Sequence, residues 1–304
     1  MTLVAQERRV GPWALEERIG GGGQAAVYRV RHAVLSRPAA LKLVHPAIWA
    51  DPGFRVRFAR ECDALVALEH PGVVPILDAG EHEGRGYLVM ALARGGSLDA
   101  RLAAGPLAPR EAATIVTAIA SALDAAHAAG VLHRDVTPGN VLLDPAGPWL
   151  ADFGIALRGD ATALTAEGAL IGTAGYLAPE VIAGHRATPA SDRYALAATA
   201  FRALTGEPPF RADGIAGVLH AHAHHAPRRA SDVRPGLPAA LDAALADGLA
   251  KDPAHRPATA ATLADAIDAA LGGTGAPTRA LVRRAPPPAA AAAPCSCRPS
   301  PWRA

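Results

Sequence analysis

A chain of 304 residues, half of them apolar, can bury one large core or two modest ones, and a formal net charge of +2 argues against binding nucleic acid or a membrane through bulk charge. Cys62, Cys295 and Cys297 form no disulfide framework and fit a reducing compartment. Residues 1–13 lack a signal-peptide apolar stretch, and no run is long and apolar enough to span a bilayer, so a cytoplasmic chain without a transmembrane span is expected.

Residues 13–44 read as short strands broken by turns, clearest at 25–31 and 39–44. Between the first two lies the run Ile19-Gly20-Gly21-Gly22-Gly23-Gln24-Ala25-Ala26-Val27. Glycines there let backbone N–H groups approach phosphate oxygens, although a flexible hairpin explains a lone glycine cluster equally well. A following strand favours one kind of phosphate loop and a following helix another; Val27, Tyr28 and Val30 point to strand. In the next strand, Ala39-Ala40-Leu41-Lys42 places a cation inside an apolar run. A lone lysine there could snorkel to solvent. Residues 54–69 then switch to helical spacing, with Phe54, Phe58, Leu65 and Leu68 on one stripe and Glu61 on the same stripe. A carboxylate facing a core needs a counter-charge, and Lys42 is the expected partner.

Strands return at 73–77 and 87–92, and mostly helix follows. The segment 109–128 carries Ala112, Ile115, Ile119, Leu123 and Ala126 at helical steps, with Pro109 and Glu111 suited to its first turn. Further helical patterns occupy 192–205, 215–225, 239–250 and 258–271, and two lobes are expected to meet near residue 93. Within the helix-rich part, His133-Arg134-Asp135-Val136-Thr137-Pro138-Gly139-Asn140 precedes Asp152-Phe153-Gly154. Asp135 suits a proton acceptor for a hydroxyl, and Asn140 and Asp152 suit hard-cation binding beside phosphate oxygens. Residues 274–304 contain five Arg and no acid, and should form a disordered tail (273–304); a basic contact with an anionic membrane or a partner is its sharper reading.

Residues from about 12 to 272 resemble the bacterial eukaryotic-like Ser/Thr protein kinases. The resemblance rests on the glycine loop, Lys42, Glu61, the His133–Asn140 run, Asp152-Phe153-Gly154, Ala178-Pro179-Glu180, Ser191-Asp192, Gly206-Glu207-Pro208-Pro209-Phe210, Lys251-Asp252-Pro253 and Arg256-Pro257. It implies an α+β, two-lobed fold. A small antiparallel-sheet N-lobe with one main helix (12–90) would join a larger helical C-lobe (95–272) through a hinge (91–94), after a leader (1–11). It implies ATP and Mg²⁺ as cofactors and protein Ser/Thr hydroxyls as substrates, including the chain's own, with self-association for phosphorylation in trans. Lys42 would bind phosphates, steadied by Glu61. Asp135 would be the base, and Asn140 and Asp152 the metal ligands. Residues 19–27 would cover the phosphates. Ala40 would touch the adenine, Met90 would guard the back of its pocket, and backbone groups of Ala91 and Ala93 would bind its edge. Glu180 would pair with Arg256, and Asp192 would brace the catalytic loop.

Some residues depart from the family pattern. Thr137 stands where these kinases usually carry a phosphate-neutralising lysine, so the alternative is a nucleotide-binding pseudokinase. Ala25 and Ala197 replace glycines, and the Asn140-to-Asp152 link is one residue short, a difference placed in a hairpin at 145–148. Arg134 beside Asp135 resembles kinases switched on by a phosphate in the segment 154–180. Thr165 is the leading acceptor and Thr162 the second; Thr173 reads as structural, and Glu167 as a fixed negative charge. His220, His222, His224 and His225 read as a solvated helix rather than a metal site. Cys62 reads as an inert packed thiol.

Overall fold

The computed structural model describes residues 9–154 and 174–273. The N-terminal part is one antiparallel sheet: β1 (Arg9–Val10), β2 (Trp13–Gly21), β3 (Ala25–His32), β4 (Pro38–Val44), β5 (Ile76–His82) and β6 (Arg85–Met90), in the order β1-β2-β3-β4-β6-β5. β1 lies in the segment expected to be a leader. Val10 pairs with Trp13 and is buried beside it, so the ordered sheet begins by residue 9.

Alternation along β4 decides what Lys42 can reach. Ala39, Leu41 and Leu43 point into a small core shared with Val30, Tyr87 and Val89. Ala40 and Val44 point the other way, toward the main core that also holds Phe54, Phe58 and Leu65, and Lys42 shares their side of the strand. Those three side chains come from α2 (Pro52–Ala67), which follows the short α1 (Pro46–Trp49). Asp51 starts α2 by accepting from the Gly53 N–H at 2.9 Å, with Pro52 at the first helical position.

After β6 the chain turns helical: α3 (Leu98–Leu102), α4 (Pro109–Ala128), the hairpin β7 (Val141–Asp144) and β8 (Gly147–Leu150), a 3₁₀ turn (Ala174–Tyr176), α5 (Pro179–Ile182), α6 (Pro189–Thr205), α7 (Gly214–His224), α8 (Ala230–Val233), α9 (Ala239–Gly248), a second 3₁₀ turn (Pro253–His255) and α10 (Ala260–Ala270). Within α4 the stripe foreseen from spacing is buried. Small residues bring helices close; a Cβ on Gly248 would stand 2.7 Å from the Ala197 Cβ. Asp124 of α4 accepts from the Ala260 and Ala261 N–H groups at 2.9 and 2.8 Å, fastening the α10 N-terminus to α4. Among the described residues, no helix is long and apolar enough to cross a membrane.

The strand expected at 73–77 is instead β5, Ile76–His82. Val73 makes only an isolated bridge to Leu150. Polar Asp78 enters the strand because it accepts hydrogen bonds from Trp13 Nε1 (2.9 Å) and Tyr87 Oη (3.3 Å). That tertiary satisfaction overrides local pattern.

Candidate active site

The glycine run folds as the end of β2, a short turn and the start of β3, so a strand follows it. Gly21 has φ +139°, and a Cβ there would stand 2.8 Å from the Ala25 carbonyl oxygen. A side chain is therefore excluded on both counts. Gly22 and Gly23 have open space where a Cβ would project. Ala25 stands in β3 without distortion, paired with Val44.

The segment 133–140, the expected catalytic segment, is held from below by α6. Asp192, almost fully buried, accepts from the His133 N–H (2.9 Å), the Arg134 N–H (2.7 Å) and His127 Nε2 (2.8 Å). Thr199 Oγ1 donates to the Val136 carbonyl at 3.0 Å. These bonds sustain a backbone that L-residues adopt reluctantly, with Arg134 at φ +67°. Sequence reasoning found Asp192 but not His127 or Thr199. The available signal was Asp192 itself, an acid on an apolar helix that had to collect donors.

His133 is fully buried and fixed as one tautomer: Nε2 bonds the Ala151 carbonyl (2.9 Å), so Nδ1 accepts from the Asp135 N–H (3.2 Å). Burial keeps its pKa below the usual range despite nearby Asp192. Its ring packs on Phe153 with centroids 4.6 Å apart. The 152–154 turn is thereby seated on the catalytic segment, and the Gly154 N–H adds a 3.0 Å bond to the His133 carbonyl.

Asp135 and Asn140 form a unit. The Asn140 amide nitrogen donates to both the Asp135 carbonyl and its Oδ2, each at 2.8 Å. Both N–H bonds are thus committed, which leaves the amide oxygen as the atom for a cation. Asp135 Oδ1 is buried with no hydrogen-bond partner, and burial raises the carboxyl pKa against the opposing pull of His133 and Asn140. A partnerless carboxylate oxygen of raised basicity suits a proton acceptor. Asp152, at φ +58°, places Oδ1 3.0 Å from Lys42 Nζ. Among the described residues there is no cluster of three or more His, Cys, Asp or Glu side chains suited to a metal. The free Asn140 amide oxygen and the Asp152 carboxylate are oxygen donors of the hard kind a magnesium ion would take.

Glu61 does not pair with Lys42 as the sequence suggested. Its Oε1 takes Arg134 Nη1 at 3.3 Å, and its Oε2 is buried without a hydrogen-bond partner. The carboxylate did need a cation, but Arg134 supplies it, and Asp152 holds Lys42. Burial raises the Glu61 pKa, with Arg134 and then Arg57 opposing. The same residues line a cavity of about 360 Å³ between α2 and the catalytic segment, with Arg57, Arg60 and Arg134 in its wall. Cys62, next in sequence, is buried, and its thiol is pushed up to about 12 by burial and then by Glu61, which fits an inert packed group.

Ala40, Met90 and, partly buried, Val27 and Ala91 belong to the main core, whereas Ile19 is largely exposed. The Ala91 N–H is engaged by the Pro75 carbonyl at 2.9 Å. Thr137 is buried, and the Asn140 N–H donates to its carbonyl at 3.0 Å. Deeper in the helical part, Arg256 Nη1 and Nη2 meet Glu180 Oε1 and Oε2, each at 2.7 Å. Thr162, Thr165, Glu167 and Thr173 lie outside the described residues, as does the basic tail from 274.

The expectation of a solvated histidine helix needs correction. His222 on α7 is fully buried, with Tyr194 Oη 2.9 Å from its Nδ1. Its neighbours His220, His224 and His225 are not buried and associate with one another.

A small antiparallel sheet over a helical lobe, with a lysine, an amide and two aspartates gathered between them, defines a protein kinase fold. The chain belongs to the protein kinase domain family, whose model matches residues 13–266. It is similar to the serine/threonine-protein kinase PknE of Mycobacterium tuberculosis (strain ATCC 25618 / H37Rv), 44% identical over 263 residues that cover 86% of this chain and 46% of the relative. Serine/threonine-protein kinase PknH of the same strain is 43% identical over 273 residues, covering 88% of this chain and 44% of the relative. The crystal structure of the Mycobacterium tuberculosis PknI kinase domain aligns with a TM-score of 0.69 at 33% identity, over 88% of this chain and 100% of that one. The chain spans about half the length of the curated relatives it matches.

Proposed function

We propose that this domain is an ATP-dependent Ser/Thr protein kinase that moves the γ-phosphoryl group to protein hydroxyls, its own included. The observation that carries the reading is the single cleft in which Lys42 lies 3.0 Å from Asp152 while Asn140 is tied at 2.8 Å to Asp135. Lys42 binds the α- and β-phosphates. The Asn140 amide oxygen and Asp152 hold magnesium, which supplies charge neutralisation on the phosphates. Asp135 accepts the hydroxyl proton as the oxygen attacks, and the ADP oxygen leaves from the opposite side. Backbone N–H groups of 19–27 cover the phosphates. Met90 and Ala40 border the adenine, whose edge meets the Ala91 carbonyl and the Ala93 backbone. The need for ATP, with a cysteine pattern that fits a reducing compartment, suits cytoplasmic catalysis. Label transfer from γ-labelled ATP to the purified chain, followed by phosphoamino-acid analysis, tests the reaction and the residue type.

Thr137 brings a hydroxyl where a cation would stabilise the transferring phosphate, a change worth about 3–4 kcal/mol for one such group. Thr137 alone motivates the non-catalytic alternative, and the presence of Lys42, Asp135, Asn140 and Asp152 together weighs against it. Thr137→Lys should therefore match or exceed the wild-type rate in a steady-state peptide assay. Complete inactivity of that variant would show that the hydroxyl is essential.

Regulation follows from the ion pairs. Arg134 holds Glu61, and a phosphate on Thr165, which lies outside the described residues, would compete for Arg134 as a doubly charged partner. Glu61 is then released to Lys42, and the phosphate-binding lysine is steadied. Thr165→Ala should lower the rate about tenfold or more, and phosphatase treatment of the wild type should lower it to the same level. Equal rates before and after phosphatase treatment would refute the switch.

A further inference from the structure

The glycine run is well paired at its base and sparsely fixed at its tip. The ladder between β2 and β3 slips between Arg18 and Gly20 and ends where Gly21 faces Ala26. Beyond that point the Gly22 N–H closes the turn on the Ala25 carbonyl at 2.9 Å. Gly22 and Gly23 have nothing within 4 Å of where a Cβ would project, so packing on that side does not fix them.

Two further bonds to the tip come from one residue outside the run. His45 follows β4 directly, three residues after Lys42, and is half-buried. Its backbone N–H donates to the Gln24 carbonyl at 2.9 Å. Its Nε2 lies 3.2 Å from the Gly22 carbonyl oxygen. A carbonyl only accepts, so Nε2 carries the proton and donates. The two bonds take hold of carbonyls on either side of Gly23. His45 is itself fixed at the start of α1, where its carbonyl accepts from the Ile48 and Trp49 N–H groups, each at 3.0 Å. Trp49 is buried and stands edge-on to Phe58 of α2, with ring centroids 5.2 Å apart. The tip of the loop is thus tied through His45 to the helix that carries Glu61.

We propose that His45 is a positioning residue for the nucleotide: its Nε2–H clamps the Gly22 carbonyl and holds the tip of the glycine loop in place for the phosphates of ATP. A loop already held loses less conformational freedom when the ligand arrives, and the saving appears as affinity. This role rests on the reading of residues 19–27 as the phosphate cover of a kinase.

The test compares His45→Met with His45→Gln in the full chain. The two side chains have similar reach, and only Gln carries an N–H where Nε2 stood. Calorimetric titration with magnesium-ATP should give a Kd about three- to tenfold weaker in His45→Met, the size of one lost hydrogen bond. Adenosine has no phosphates for the loop to cover, and its Kd should stay within about twofold in both variants. His45→Gln should restore the ATP value. Amide exchange of the 19–27 segment without nucleotide is followed in parallel: faster in His45→Met, as in wild type in His45→Gln. Should His45→Met not fold, His45→Asn takes its place with the same expectations, because its amide stops at the position of Nδ1, short of Gly22. An ATP Kd within about twofold of wild type in the donor-less variant would overturn the inference. So would equal weakening of ATP and adenosine, or a His45→Gln variant as weak as His45→Met. A wild type that binds no ATP would instead refute the kinase reading, and amide exchange of 19–27 alone would then decide whether His45 fastens the loop.

Discussion

Asp152→Asn should abolish phosphate transfer while leaving the fold intact. Asp152 is partly exposed, its only cationic contact among the described residues is the 3.0 Å pair with Lys42, and the isosteric amide keeps its volume. On the proposed reading it would lose the negative charge that holds magnesium, worth several kcal/mol at the transition state, or about a thousandfold in rate. Asp135→Asn should cost about 10²–10⁴-fold for a different reason: on the proposed reading the proton acceptor would be gone while the metal site would remain. ATP titrations separate the two. Magnesium-dependent nucleotide affinity should fall in Asp152→Asn and persist in Asp135→Asn. The raised Asp135 pKa also sets the acid limb of the wild-type kcat/KM profile above the range of an exposed aspartate, because the base works only when deprotonated. Activity in Asp152→Asn within tenfold of wild type would remove the basis of the assignment.

The same site shows what residue order could and could not reveal. The His133–Asn140 run, the 152–154 turn and the helix at 109–128 were legible because spacing alone specifies them: a 3.6-residue period buries Ala112, Ile115, Ile119, Leu123 and Ala126 whatever their partners. The partner of Glu61 was not legible. Pattern places a carboxylate on the buried stripe of α2 and requires a cation, but Lys42 and Arg134 carry equal charge, and only three-dimensional placement sends Glu61 to Arg134 at 3.3 Å. His222 was hidden in another way. Four histidines within six residues look polar and solvated, and the difference between buried His222 and its neighbours comes from Phe210, Tyr194 and Lys251, which are remote in sequence. β5 was shifted because Asp78 is unfavourable by propensity and becomes acceptable only once Trp13 and Tyr87 donate to it.

Arg256→Met should unfold the helical part more readily, by about 3–5 kcal/mol, because it strands a carboxylate that the arginine now satisfies. Arg256 gives both terminal nitrogens to Glu180 at 2.7 Å, Nε to the Ala250 carbonyl at 2.8 Å and Nη1 also to the Ala190 carbonyl at 2.9 Å. Met fills similar volume but offers none of these donors. In a domain of this size the unfolding midpoint should drop by about 10 °C. Glu180→Gln combined with Arg256→Met should recover part of the loss, since no charge is then left without a partner. Burial alone would raise the Glu180 carboxyl, but hydrogen bonds from Arg256 and Ser191 bring it below its ordinary 4.5. A carboxylate depressed in the folded state adds stability that is complete above the unfolded-state pKa, and the gain disappears as pH falls through the folded-state value. Wild-type stability should therefore decline below about pH 4.5 through this pair, and Arg256→Met should lack that component. A midpoint within about 2 °C of wild type at neutral pH would show that the pair is not a structural anchor.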